Sequence, residues 1–106
     1  VRADDSVERL PSCGTILGIF PELGYEVKHC RLDPGDVLTL YSDGVTEEND
    51  PSGEEFGEKR LERLLAKKDR GGAVDLVEEV RRAVLAWAAG AEPADDVTVV
   101  VARRVP

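Results

Sequence analysis

The sequence predicts an α+β fold: an antiparallel β-sheet with two helices packed on one face. Three observations carry this prediction. Apolar runs alternate with turn signals through the first half of the chain, two amphipathic stretches follow one another in the second half, and a β-branched run over residues 97–102 closes it. Helices segregated from an antiparallel sheet in this order make a layered structure. The 106 residues suffice for one small domain, and neither an internal repeat nor a low-complexity stretch divides them.

Taken in order, residues 7–10 read as a short strand after a turn at Asp4-Asp5. Residues 15–20 are a second apolar stretch with Gly18 inside it, and residues 25–32 a better-defined strand. Asp33-Pro34-Gly35-Asp36 has a type II turn pattern, because Pro34 fixes the first central dihedral and Gly35 accepts a positive φ at the second. Residues 25–32 and 37–42 are therefore expected to form an antiparallel hairpin. Val37-Leu38-Thr39-Leu40-Tyr41 is apolar on both faces, which predicts a central strand covered on both sides. Asn49-Asp50-Pro51-Ser52-Gly53 is a loop. A helix is expected over residues 58–68, with Leu61, Leu64 and Leu65 on one face. A second is expected over 73–89, where Val77, Val80, Val84 and Trp87 recur at helical spacing, Glu78, Glu79, Arg81 and Arg82 face mostly outward, and Gly90 ends the helix. Both stripes, Trp87 included, are assigned to the core. Residues 91–94 link the second helix to the last strand.

Acidic residues number 22 against 14 basic ones, for a net charge of −8. This excludes the basic stripe that a nucleic-acid backbone or an anionic membrane attracts. Lys67-Lys68 with Arg70 reads as a solvated helix end. No apolar run approaches the ~18–20 residues of a membrane helix. The opening Val1-Arg2-Ala3-Asp4-Asp5 lacks the basic head and apolar stretch of a signal peptide and starts in what reads as mid-strand, so a piece of a longer, cytoplasmic protein is expected. Cys13 and Cys30 form no C-x-x-C pair and stand too far apart for a zinc knuckle. They are expected to be reduced, half-buried thiols, with a disulfide between neighbouring strands as the alternative.

Two carboxylate sites stand out by position. Asp43, in Tyr41-Ser42-Asp43-Gly44, lies where an apolar strand ends, and Gly44 lets a ligand approach the backbone. Asp95 and Asp96, in Ala94-Asp95-Asp96-Val97-Thr98, lie just before another. If strands 37–42 and 97–102 are antiparallel neighbours, Asp43 and Asp95 reach the same rim. Ionised carboxylates held close repel, and a divalent cation removes that penalty. Oxygen ligands suit hard cations such as Mg²⁺, Mn²⁺ or Ca²⁺. On spacing alone the turn-forming habit of Asp-Gly and Asp-Asp is the better account of both sites.

The stretch Leu32-Asp33-Pro34-Gly35-Asp36-Val37-Leu38-Thr39-Leu40-Tyr41-Ser42-Asp43-Gly44-Val45-Thr46-Glu47 resembles a signature of the PPM (type 2C) metal-dependent protein serine/threonine phosphatases. It is most similar to their bacterial branch, related to the stage II sporulation phosphatase and the stress-response phosphatases. Further similarities follow in order: Gly14-Thr15-Ile16-Leu17-Gly18-Ile19 upstream, then Gly53-Glu54-Glu55-Phe56-Gly57, the two helices, and Asp95-Asp96-Val97-Thr98-Val99-Val100-Val101. The resemblance covers essentially the whole chain. It implies half of a sandwich of two β-sheets flanked by helices, with a binuclear Mn²⁺ or Mg²⁺ centre between the sheets whose bridging water attacks a phosphoserine or phosphothreonine. Carried over, Asp43 and Asp95 are metal ligands, Asp96 supports its loop by hydrogen bonding, Gly44 is the backbone-permissive neighbour of Asp43, and Glu47 assists from beside the site, with a solvated loop acid as the alternative reading of Glu47 and Glu48. The resemblance also implies that the family's N-terminal half, with its metal-bridging aspartate, lies upstream. Alone, then, the chain is expected to be inactive, with weak single-metal binding at most.

The same resemblance implies a phosphoprotein substrate, such as an anti-sigma factor antagonist, in a bacterial signalling pathway. A metal-free, phosphatase-like binding or scaffold module is the alternative, and a non-enzymatic cation-binding domain ranks behind both. Self-association through an exposed sheet face is a further expectation. His29, the sole histidine, has no nucleophile motif around it and is expected to be an ordinary strand residue.

Overall fold

A strand with apolar residues at every second position must bury one face and leaves the other to solvent or to a partner. In a computed structural model of the protein, which describes residues 1–10, 27–66, 71–91 and 95–105, two such strands pair. The elements run β1 (Val37–Tyr41), α1 (Asp43–Thr46), α2 (Gly57–Leu65), α3 (Ala73–Trp87) and β2 (Val99–Arg103). β1 and β2 are antiparallel, with a register from Val37↔Arg103 to Tyr41↔Val99. Val37 is buried and Val99 and Val101 pack against the core, whereas Leu40 and Val100 on the opposite face are 57% and 52% exposed. The α+β class and the antiparallel pairing of the two apolar strands are as the sequence predicts. The expectation that β1 is covered on both sides is not met among the described residues.

The helices supply the other side of the core. Leu61 and Leu65 of α2 recur at a spacing of one helical turn, as do Leu76, Val80 and Val84 of α3, and all five are buried together with Val45 and Phe56. Full burial of one such aliphatic side chain contributes about 1.5–3 kcal/mol. α3 lies against β2, and α2 against α1 and α3. Leu76 fits the stripe better than Val77, which is only half-buried. The Gly72 N–H donates to the Asp75 carboxylate at 3.1 Å, so an acid satisfies one orphan donor where the helix dipole favours negative charge. At the other end Ala89 (φ 54°) and Gly90 (φ 85°) are both left-handed. Gly90 adopts this region freely, but Ala89 is strained there.

The turn at Asp33–Asp36 has the expected form: Gly35 has φ 88° and the Asp36 N–H donates to the Asp33 carbonyl at 2.9 Å. Asp36, 2% exposed, is, with Glu48, one of two buried acids among the described residues. Its carboxylate accepts from the Arg2 guanidinium (2.9 Å) and from the N–H groups of Ala3 and Asp33 (both 2.8 Å). These bonds, the one from Arg2 foremost, hold its carboxyl at about 2. Asp36 thus ties the first residues of the chain to the turn that starts β1.

Two strand expectations are corrected. Residues 7–10 are exposed and not a strand; Arg9 instead forms ion pairs with Glu58 and Glu62 of α2. Residues 27–32, the described part of 25–32, are not a strand either, so the expected hairpin does not form. The carbonyls that would serve its ladder are taken by side chains: Arg2 donates to Arg31 O and Arg104 to Leu32 O, each at 2.6 Å. Cys30 is a free thiol, exposed rather than half-buried because residues 27–32 do not join the sheet, and His29 is exposed. Cys13, the stretch 15–20, Lys67-Lys68 with Arg70, and residues 92–94 lie outside the described residues. Among those described, no helix is long and apolar enough to cross a membrane.

Two outcomes follow from this packing. The folded carboxyl of Asp36 lies below the ordinary aspartate value of about 4, so its stabilisation is complete above pH 4 and is lost as pH falls toward 2. Acid titration of unfolding should show a steeper loss of stability in that window for the wild type than for Asp36→Asn. Replacing Ala89 with Gly should relieve the left-handed strain and raise stability by about 0.5–1 kcal/mol in urea denaturation.

Candidate metal centre

Asp43 and Asp95 reach one rim because the β1–β2 pairing continues one residue past the strands. The Ser42 N–H donates to the Thr98 carbonyl at 2.9 Å. The Ser42 hydroxyl donates to the Asp96 carbonyl at 3.1 Å and accepts from the Thr98 N–H at 2.9 Å. One short side chain therefore fastens the segment before Asp43 to the segment after Asp95. Asp43 opens the short helix α1 rather than extending the strand, and the Glu47 N–H closes this turn onto the Asp43 carbonyl at 2.8 Å.

Gly44 is buried against the opposite segment. A Cβ on Gly44 would fall inside the van der Waals envelope of the Asp96 carbonyl oxygen, 2.8 Å from its carbon and 3.3 Å from the Val97 Cα. These obstacles are backbone, so no rotamer relieves them. The glycine is required here for close approach of two chains rather than for a positive φ.

The side chains on this rim are oxygen donors. Asp43, Asp95 and Asp96 are exposed. One Asp95 oxygen accepts from the Asp96 N–H at 2.8 Å. Carboxylate oxygens such as these are the donors that a hard cation takes. Among the described residues no three His, Cys, Asp or Glu side chains form a complete cation site. The structure brings together the segments carrying Asp43, Gly44, Asp95 and Asp96. Glu47 is exposed at the end of α1, whereas its neighbour Glu48 is 4% exposed with an Oε2 that has no hydrogen-bond partner.

Beside the rim the loop from Glu48 to Phe56 is folded onto the helices. The Phe56 N–H bonds to Glu48 O at 2.8 Å and the Asp50 N–H to Glu54 O at 2.9 Å. The Asp50 carboxylate accepts from the Ser52 hydroxyl and from the N–H groups of Ser52 and Glu54, which lowers its pKa, the hydroxyl bond contributing most. Trp87, assigned from its spacing to the core, is half-buried and also holds this loop: its Nε1–H donates to Glu54 O at 2.9 Å. The Arg60 guanidinium lies 4.1 Å above the Trp87 ring and donates to Phe56 O at 2.9 Å, and Phe56 meets the indole edge-on at 6.1 Å. The parts that Ser42, Arg60 and Trp87 play in building the site depend on partners distant in sequence, which spacing does not show. The legible signal was the Ser immediately preceding Asp-Gly at a strand end.

Gly44→Ala should lower stability by about 2–3 kcal/mol, since the intruding methyl meets backbone, and should move the amide resonances of residues 95–98. Wild-type stability with unmoved resonances would contradict the close approach.

Residues 1–105 match the family described as Stage II sporulation protein E (SpoIIE). The chain is 28% identical over 96 residues to Protein IcfG of Synechocystis sp., a match covering 91% of this chain and 15% of that protein. The chain thus spans a small part of the length of the curated relative it matches. No solved structure gives a significant match. Because the family match runs almost end to end over the strands, the rim and both long helices, the chain belongs to the SpoIIE family of phosphatase-type domains.

Proposed function

We propose that this chain is the C-terminal part of a metal-dependent protein serine/threonine phosphatase domain, and that Asp43 and Asp95 are two of its carboxylate metal ligands. The observation that carries the reading is the junction of Ser42 and Gly44 with residues 96–98, which fixes the segments of both aspartates on one rim. Carboxylate oxygens brought from two segments to one rim are the donors a hard divalent cation takes. Mn²⁺ or Mg²⁺, when bound, acidifies a water for attack on phosphorus. The chain's own part is to hold two carboxylate oxygens rigidly toward that position. Asp96 steadies the loop through its N–H to Asp95 and its carbonyl to Ser42, and Glu47 borders the site from the end of α1.

The proposed substrate is a phosphoserine or phosphothreonine on a regulatory phosphoprotein, an anti-sigma factor antagonist being the class that fits the family. The proposed setting is the cytoplasm. The described residues offer too few ligands for two metals, so the proposed activity is that of a longer protein.

The test is Mn²⁺-dependent dephosphorylation of a phosphopeptide by the longer protein, compared with Asp43→Asn, alongside Mn²⁺ binding by calorimetry. Altering groups that merely orient ligands costs 10–100-fold, so loss of a ligand should lower kcat/KM by more than about 100-fold and weaken Mn²⁺ binding in parallel. Glu47→Gln should have a smaller effect. A folded Asp43→Asn protein with undiminished turnover would defeat the metal reading. Intact Mn²⁺-independent binding of a phosphoprotein, with no turnover in the wild type, would favour a scaffold module.

A further inference from the structure

The loop from Glu48 to Phe56 is gripped by two side chains that give their donors to three consecutive carbonyls. The Trp87 Nε1–H bonds to Glu54 O at 2.9 Å, and one Arg60 nitrogen donates to Glu55 O at 3.1 Å and to Phe56 O at 2.9 Å. The other terminal Arg60 nitrogen pairs with the Glu54 carboxylate at 3.1 Å, and the guanidinium lies 4.1 Å from the centre of the Trp87 ring. The carbonyls of an exposed loop can turn to water. A rigid guanidinium fork and an indole directed at three of them in a row make a built clamp.

What the clamp closes lies at the end of α1. The loop is braced internally, since the Gly53 N–H donates to Asp50 O at 2.9 Å and Asn49 pairs with Glu55 in an isolated antiparallel bridge. Its neck is the bond from the Phe56 N–H to Glu48 O, and Glu48 directly follows Glu47, the residue that caps α1. A helix of one turn does not hold itself together. Ser42 fixes α1 ahead of its first residue, and the fully buried Val45 fixes its middle. The end at Glu47 and Glu48 is left to the loop. The Glu48 side chain works against closure, because its buried Oε2 has no hydrogen bond and would gain water if the neck opened.

We propose that Trp87 and Arg60 are positioning residues for Asp43. By holding the neck closed against the hydration of Glu48 they fix the end of α1, and the bond from the Glu47 N–H to Asp43 O carries that constraint back to the residue that opens the helix. α3, which supplies Trp87, packs on β2, the strand that follows Asp95. The clamp thus ties the segment after Asp43 to the layer that carries Asp95, at a second point beyond the Ser42 junction. Both side chains act through the loop and not on the metal. The inference rests on the reading of Asp43 as a metal ligand.

The test uses the longer protein. Trp87→Phe keeps a ring for Arg60 and Phe56 and removes the donor to Glu54, whereas Arg60→Lys keeps the charge and loses the fork. Each should weaken Mn²⁺ binding, measured by calorimetry, by about 10-fold, as loss of a group that orients a ligand does. In the metal-free protein each should also speed exchange of the Phe56 amide at least about 10-fold and move the amide resonances of Asp43 and Glu47. Leu76→Val trims buried volume from the same helix, about three turns before Trp87. It should lower stability and leave Mn²⁺ binding and those resonances unchanged. Wild-type Mn²⁺ affinity in Trp87→Phe or Arg60→Lys, where Asp43→Asn binds weakly, overturns the proposal, and so does an equal loss in Leu76→Val. If Asp43→Asn binds Mn²⁺ as the wild type does, the ligand reading fails. The metal-free spectra then decide the clamp: unmoved Asp43 and Glu47 resonances in both clamp variants overturn it, and moved ones uphold its grip on α1.

Discussion

Everything at the rim depends on the β1–β2 ladder running one rung beyond its strands. Ser42 makes that extra rung with three hydrogen bonds to residues 96 and 98, one from its backbone and two through its hydroxyl. A hydrogen bond in water is worth only about 1 kcal/mol net, but these three act at the point where both chains leave the sheet. They decide where the chains go next. Gly44 then allows a separation that no other residue permits. The two aspartates are positioned chiefly by main-chain geometry, to which Asp95 adds one bond of its own side chain, an oxygen that accepts from the Asp96 N–H.

A second constraint acts at the opposite end of β1. Asp36 gathers Arg2, Ala3 and Asp33 around a buried carboxylate. A buried charge is tolerated when it is paired and hydrogen-bonded, and here the paired groups come from two distant parts of the sequence. The strand is thereby fixed at both ends, by a carboxylate at one and a hydroxyl at the other, with the apolar core of α2 and α3 between.

The layer order was legible in the sequence because it rests on period. The stripes Leu61/Leu65 and Val80/Val84 repeat at helical spacing, the β-branched run at 99–101 reads as a strand, and Pro34-Gly35 specifies its turn. Asp43 and Asp95 were legible as a pair only through antiparallel pairing, which the register bears out. What pattern reading missed was partner choice. Residues 27–32 look like a strand, but their carbonyls bond to arginines whose positions depend on the folded chain. Apolar residues on both faces of β1 likewise point to cover on both sides, although Leu40 stands open. The burial of Glu48 rather than Glu47 was not legible either, since adjacent glutamates differ only in which way the last turn of α1 directs them.

Trp87 has an optical consequence. It is the sole tryptophan of the chain, and its indole touches three parts at once: the Glu54 carbonyl in the loop, the Arg60 guanidinium on α2, and the Phe56 ring. A cation over an indole face and a hydrogen bond at its nitrogen both perturb the excited state. Tryptophan emission from this chain therefore comes from one place, the seam between the loop beside the rim and the helical layer. Any event at the rim that loosens the loop would change colour or intensity there without an added dye.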